Sequence, residues 1–111
     1  MSVTRVYRLD RYSILELLQL LLTERGEQIR LDTRTPPSLT IKGQDFEIEG
    51  PAVDEEAVEE LLRPVANTRQ VRAFRKLSTV DIIYTFKKMR FLIRVVRAFG
   101  IFNVELHTIG R

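Results

Sequence analysis

The chain has 111 residues, 44% of them hydrophobic, which fits one domain spanning 1–111 with a core of its own. With no cysteine and a single histidine, it excludes a disulfide framework, a thiolate metal site and a multi-histidine metal site. The net charge of +3 is unevenly spread: residues 1–62 carry seven basic and thirteen acidic side chains, residues 63–111 eleven basic and only two acidic, Asp81 and Glu105.

Such a split predicts one electronegative and one electropositive region, and it permits contact between copies, so a homo-oligomer is possible. The apolar stretch Ile14–Leu22 is interrupted by Glu16 and Gln19 and is too short to span a bilayer. With no signal-like N-terminus, the expected location is the cytoplasm, with no membrane insertion.

In chain order, Asp10 is a plausible N-cap for a helix over about 10–25, stopped by Gly26. Ile14, Leu17, Leu18 and Leu21 form its apolar stripe. Beyond Gly26 the period becomes two: Ile29 and Leu31 face one way, Gln28, Arg30 and Asp32 the other. Pro36-Pro37 is expected to break that strand. Leu39 and Ile41, then Phe46 and Ile48, mark two further strands joined by a tight hairpin at Gly43.

Asp54 is expected to cap a helix whose first turn is acidic, with Val58, Leu61, Leu62 and Val65 inward and an end or kink at Pro64. A second helix starts at a Thr68 cap and runs to Lys76, burying Val71, Phe74 and Leu77 and exposing Arg69, Arg72 and Arg75. Three strands follow, carried by Ile82, Tyr84 and Phe86, by Phe91, Ile93 and Val95, and by Val104 and Leu106. Their links are Lys87-Lys88-Met89 and a turn marked by Gly100. Helices and strands in separate groups predict an α+β fold, with an antiparallel or mixed sheet and helices packed on one face.

No catalytic chemistry emerges. The five glycines are scattered and none precedes Lys-Ser or Lys-Thr, so no phosphate-cradling loop is present. Ser13, Ser38 and Ser78 lie in no nucleophile turn, and His107 falls on the polar side of a strand. The acidic run from Asp54 to Glu60 has the spacing of a capped, solvated helix face rather than a cation site. No cofactor, metal or catalytic residue is expected, and the chain is read as a non-enzyme.

From about Gly26 to Ile109 the chain resembles the N-terminal domain of the PilT-like family of secretion and pilus motor ATPases. The resemblance rests on Ile29-Arg30-Leu31, Pro36-Pro37, the hairpin from Leu39 to Gly43, and the helix pair from Val58 to Phe74. It continues through Asp81 to Phe86, Arg90-Phe91 and Thr108-Ile109. It implies a PAS-like fold and a non-catalytic interaction domain of a type IV pilus (twitching motility) or type II secretion motor system. The implied partner is a motor ATPase, or the chain's own ATPase domain if it is part of a longer protein. Two departures stand out. Glu27-Gln28-Ile29-Arg30 replaces the family's Ser-Asp-Leu-His, and Leu92 replaces the second arginine of an Arg-Phe-Arg motif. They imply that docking is kept while direct contact with nucleotide is lost.

On that reading Arg90, Arg94 and Arg97 form the docking cluster, with Arg69, Arg72 and Arg75 as a second basic patch. Two alternatives come from other classes. One is a basic nucleic-acid binder using Tyr84, Phe86, Phe91, Phe99 and Phe102; the alternation argues against it by turning most of these rings inward. The other is a PAS-like sensor with a small ligand in its core.

Overall fold

A computed structural model describes residues 7–9, 13–50, 53–76, 79–98 and 101–110. Its elements in chain order are β1 (Tyr7–Arg8), α1 (Ile14–Thr23), β2 (Gln28–Asp32), β3 (Thr35–Ile41), β4 (Gln44–Glu49), α2 (Glu55–Leu62), α3 (Thr68–Lys76), β5 (Thr79–Phe86), β6 (Met89–Ala98) and β7 (Ile101–Gly110). The strands form one mixed seven-stranded sheet in the order β1-β4-β3-β2-β7-β6-β5, in which only β1 and β4 pair in parallel. This is the α+β arrangement the grouping of elements predicts. The acidic first half supplies β1 to β4 on one side of the β2–β7 seam, and the basic second half supplies β5 to β7 on the other. The split is not clean in space, because the acidic α2, with Glu56, Glu59 and Glu60, belongs to the first half yet packs over β7 and beside β5 and β6.

The end of α1 departs from expectation in an instructive way. Arg25, not Gly26, takes the left-handed conformation, with φ 53°. The Arg25 N–H donates to Leu22 O at 3.2 Å and the Gly26 N–H to Leu21 O at 2.9 Å, the double bond pattern that closes a helix through a left-handed residue. Gly26 is needed for space instead. A Cβ there would sit 2.7 Å from Leu39 Cδ1 and 2.9 Å from Leu21 Cδ1, so any side chain would have to push the ends of these two buried leucines aside. The helix begins at Ile14 with Ser13 as N-cap, whose side chain makes no capping bond; Asp10 lies outside the described residues.

The two prolines do not interrupt the sheet. Pro36 and Pro37 lie within β3, where the register with β2 shifts between Arg30 and Asp32. At such a bulge a missing N–H costs the ladder nothing, so the strand absorbs both rings. The β3–β4 hairpin turns at Lys42-Gly43, both with positive φ (50° and 78°), the geometry a two-residue hairpin favours. The β5–β6 hairpin uses the same geometry at Lys87-Lys88, with φ 51° and 67°, without a glycine to relieve it.

Asp54 caps α2 by accepting the Ala57 N–H at 2.8 Å, and the helix stops at Leu62, before Pro64. For α3 the cap is Asn67, one residue ahead of Thr68. Asn67 Oδ1 accepts from Gln70 N while Gln70 Oε1 accepts from Asn67 N, a reciprocal capping box. The side chain of Phe74, together with Leu77 and Gly100, lies outside the described residues. One cluster joins Ile14, Leu17, Leu18 and Leu21 of α1 and Val58, Leu61 and Leu62 of α2 to one side of the sheet. Phe91 and Phe102 are its largest members, both fully buried. The helices thus cover one face and leave the other open.

Candidate functional site

With one face of the sheet covered by helices, the sheet's own accessible side chains lie mainly on the open face. Strand pairing sets side chains there in rows across the sheet. In one row Asp81, Arg94, Glu105 and Arg30 are mutually opposite on β5, β6, β7 and β2. Arg94 grips Asp81 with two bonds, Nε to Oδ1 at 2.9 Å and Nη2 to Oδ2 at 3.2 Å. Arg30 Nη2 lies 3.9 Å from Glu105 Oε1, and His107 Nε2 lies 3.9 Å from Glu105 Oε2. Charge therefore alternates along the row. The Arg94 guanidinium holds the Asp81 carboxyl below the usual aspartate range against a weaker opposing effect of burial, and Asp81 raises Arg94 in turn.

The neighbouring row is mostly uncharged: Ile83, Leu92, His107 and Gln28. Ile83 is 52% exposed and Leu92 half-buried. The apolar patch of Ile83 and Leu92 in this row, bordered by the ion-pair row and by exposed Arg90, is the part of the face best suited to contact.

The structure separates the arginines grouped by sequence. Arg90 and Arg94 lie on the open face. Arg97, an odd-numbered residue of the same strand, lies on the helix side with its guanidinium 5.3 Å from the centre of the Phe102 ring. The three cannot form a single cluster, because an odd spacing in a strand reverses the face. Arg94 is also committed to Asp81. Arg90 has no ion-pair partner among the described residues. Arg69 and Arg72 are exposed on α3, on the other layer of the domain; the side chain of Arg75 lies outside the described residues.

What the sequence reading missed on this face is the row itself and the exposed Ile83. A row depends on register, which strand spacing does not reveal. Ile83 was visible as an apolar residue in a polar phase between Asp81 and Thr85.

Two other regions bear on the alternatives. Tyr84, Phe86, Phe91 and Phe102 all fall on the helix side, so among the described residues the open face lacks the aromatic platform that single-stranded nucleic acid stacks on. Between α2, α3, β5 and β6 the free volume is about 10 Å³, bounded by Leu62, Val71, Val80 and Val95, far below what a small ligand needs. A shallow cleft of about 470 Å³ does open at the far end of the sheet, beside Pro36, Pro37, Glu47 and Val53. On its wall, nearly buried Asp32 accepts from Arg34 N (2.8 Å), Nε (3.2 Å) and Nη2 (3.2 Å). The Arg34 side chain is the main reason Asp32 titrates below the usual range. No group of three or more metal-binding side chains occurs among the described residues, and no described helix is long and apolar enough to cross a membrane.

No protein-family model matches the sequence, and no curated protein matches it. Solved structures do match its fold. The chain is similar to the ATPase DotB of Legionella pneumophila, with a TM-score of 0.73 and 14% identity over 95% of this chain and 32% of that one. It is similar to the pilus retraction motor PilT with bound ADP, at a TM-score of 0.67 and 18% identity over 87% of this chain and 29% of PilT. DotB of Yersinia pseudotuberculosis gives a TM-score of 0.62 and 14% identity over 98% of this chain and 34% of that one. The chain thus shares the fold of a segment of these ATPases and spans about a third of their length.

Proposed function

We propose that this domain is a non-catalytic docking module of a pilus or secretion motor system. It binds a motor ATPase, or an ATPase domain of its own longer chain, through the open face of its sheet. The observation that carries this reading is the fold agreement over 87% of the chain with the pilus retraction motor PilT, of which it spans only 29%. The open face supplies the means: the apolar patch of Ile83 and Leu92 with Arg90 at its border. Arg94, Glu105 and Arg30 act there as a pre-formed pattern, in which each charge is already held by its neighbour and little side-chain freedom is lost on binding. Arg97 and the α3 arginines, Arg69, Arg72 and Arg75, are on or joined to the helix layer and are not part of the same flat contact.

The test is fluorescence polarisation of the labelled chain titrated with the purified motor ATPase ring of the source organism. Saturable binding that weakens as salt rises is expected. Arg90→Glu should weaken it several-fold while Arg69→Glu/Arg72→Glu leaves it unchanged. A ring that produces no change in polarisation at low salt would overturn the reading.

A further inference from the structure

The sheet ends differently on its two sides. On one side the last strand is β1, two residues long. On the other it is β5, eight residues long, with the sequence TVDIIYTF and nothing paired to its outer side among the described residues. β5 has no proline, no bulge and one charge, Asp81, which Arg94 already neutralises. Lysines, prolines and bulges are what usually protect an exposed edge, and a long flat edge lacking them is a template for another strand.

We infer that the free edge of β5 pairs with β5 of a second copy of this chain, forming a two-fold dimer with one continuous sheet. This goes beyond motor docking and does not depend on it. The two-residue turn at Lys87-Lys88 fixes the phase of the ladder. Phe86 and Met89 flank the turn as a hydrogen-bonded pair, so Phe86, Tyr84, Ile82 and Val80 direct their backbone groups to β6. The N–H and C=O groups of Thr79, Asp81, Ile83 and Thr85 consequently point outward.

An antiparallel pair about a two-fold axis must place a residue opposite its own copy, which keeps the open and helix faces of both copies aligned. Centring on Ile82 would set Asp81 against Ile83. Centring on Ile83 sets that half-exposed side chain against itself, Asp81 against Thr85, Ile82 against Tyr84 and Val80 against Phe86. The second register covers apolar surface on both faces and leaves no charge beside an apolar partner. It also keeps the two Lys87-Lys88 tips about 27 Å apart at ~3.4 Å per residue, well beyond a screening length of about 8 Å at physiological salt. In that register the strand matches itself in hydrogen bonding and in its apolar pairs, and brings no two charges face to face. A foreign strand would need to match both.

Sedimentation equilibrium of the chain should show a concentration-dependent monomer–dimer equilibrium. Ile83→Lys, which sets two like charges opposite each other at an exposed site, should raise the dissociation constant at least about tenfold with an unchanged circular dichroism spectrum. Amide hydrogen exchange gives a second readout that a folding defect cannot imitate. Going from dilute to concentrated protein, the amides of Asp81, Ile83 and Thr85 should slow, while those of Ile82 and Tyr84, already bonded to β6, stay constant. A monomer at every concentration, or a dimer that leaves those three amides fast, would refute the pairing.

Discussion

On the helix side of β6, Phe91, Ile93 and Val95 are fully buried against both neighbouring strands and the helices; on its other side the same strand offers Arg90, Leu92, Arg94 and Val96. The backbone and its ladder are common to both faces, so the difference lies in what each does with water. One face removes apolar surface from solvent, at about 25 cal/mol per Å². The other keeps its charges hydrated and opposes them in a row, where each exposed pair adds only ~0–1 kcal/mol. The core is thereby confined to one side of the sheet, and the other side contributes little to stability and stays accessible, as the proposed docking role requires.

The sharpest way to break this comparison is to truncate equal positions on the two faces. Phe102→Ala removes a fully buried ring and should cost about 3–5 kcal/mol in urea denaturation. Ile83→Ser, on the open face, should stay within about 0.5 kcal/mol for the monomer. Comparable losses would mean that the open face is part of the core. Next in size is Gly26→Ala. Its Cβ would press on Leu39 and Leu21 at the junction of helix and sheet, for an expected loss of about 1–3 kcal/mol by overpacking. The opposite sign is expected at the β5–β6 turn. Replacing Lys87-Lys88 by Asn-Gly relieves two left-handed non-glycine residues and should raise stability by about 1 kcal/mol.

These positions also mark how far the sequence could be read. The period of two along Phe91-Ile93-Val95 and Val104-Leu106 identified the core side of both strands, and the Asp54 cap and Pro64 stop were legible because each acts within a few residues. The same alternation already put Arg97 on the opposite face from Arg90 and Arg94; treating the three as one basic cluster followed charge and overlooked parity. Pro36-Pro37 was misread because a bulge, which makes proline harmless in a strand, is a property of the pair and not of one strand. The Asp81–Arg94–Glu105–Arg30 row was illegible for a related reason: it joins residues up to 75 positions apart through three registers. The likeness to motor ATPases was carried by spacing, and at 14–18% identity spacing is most of what remains.

The finest comparison is between two carboxylates held by arginines. Asp32 is almost buried at the edge of the cleft, whereas Asp81 is half-exposed on the open face, and in both the folded state lowers the pKa. A lowered pKa contributes stability that is present above the ordinary aspartate value and is lost as pH falls through the folded value. Stability of the wild-type chain should therefore decline on acidification below the ordinary aspartate range, and each Asp→Asn change should flatten part of that decline. Asp32→Asn should also cost about 1–3 kcal/mol at neutral pH, since a nearly buried, charge-assisted bonding site is lost. Asp81→Asn should cost no more than about 1 kcal/mol, because water can replace Arg94 at an exposed site. Guanidinium unfolding followed from neutral to acid pH reads both limbs. If Asp81→Asn proved the costlier, the open-face row would be a structural brace, and its pairing with a partner would have to be rethought from that strength.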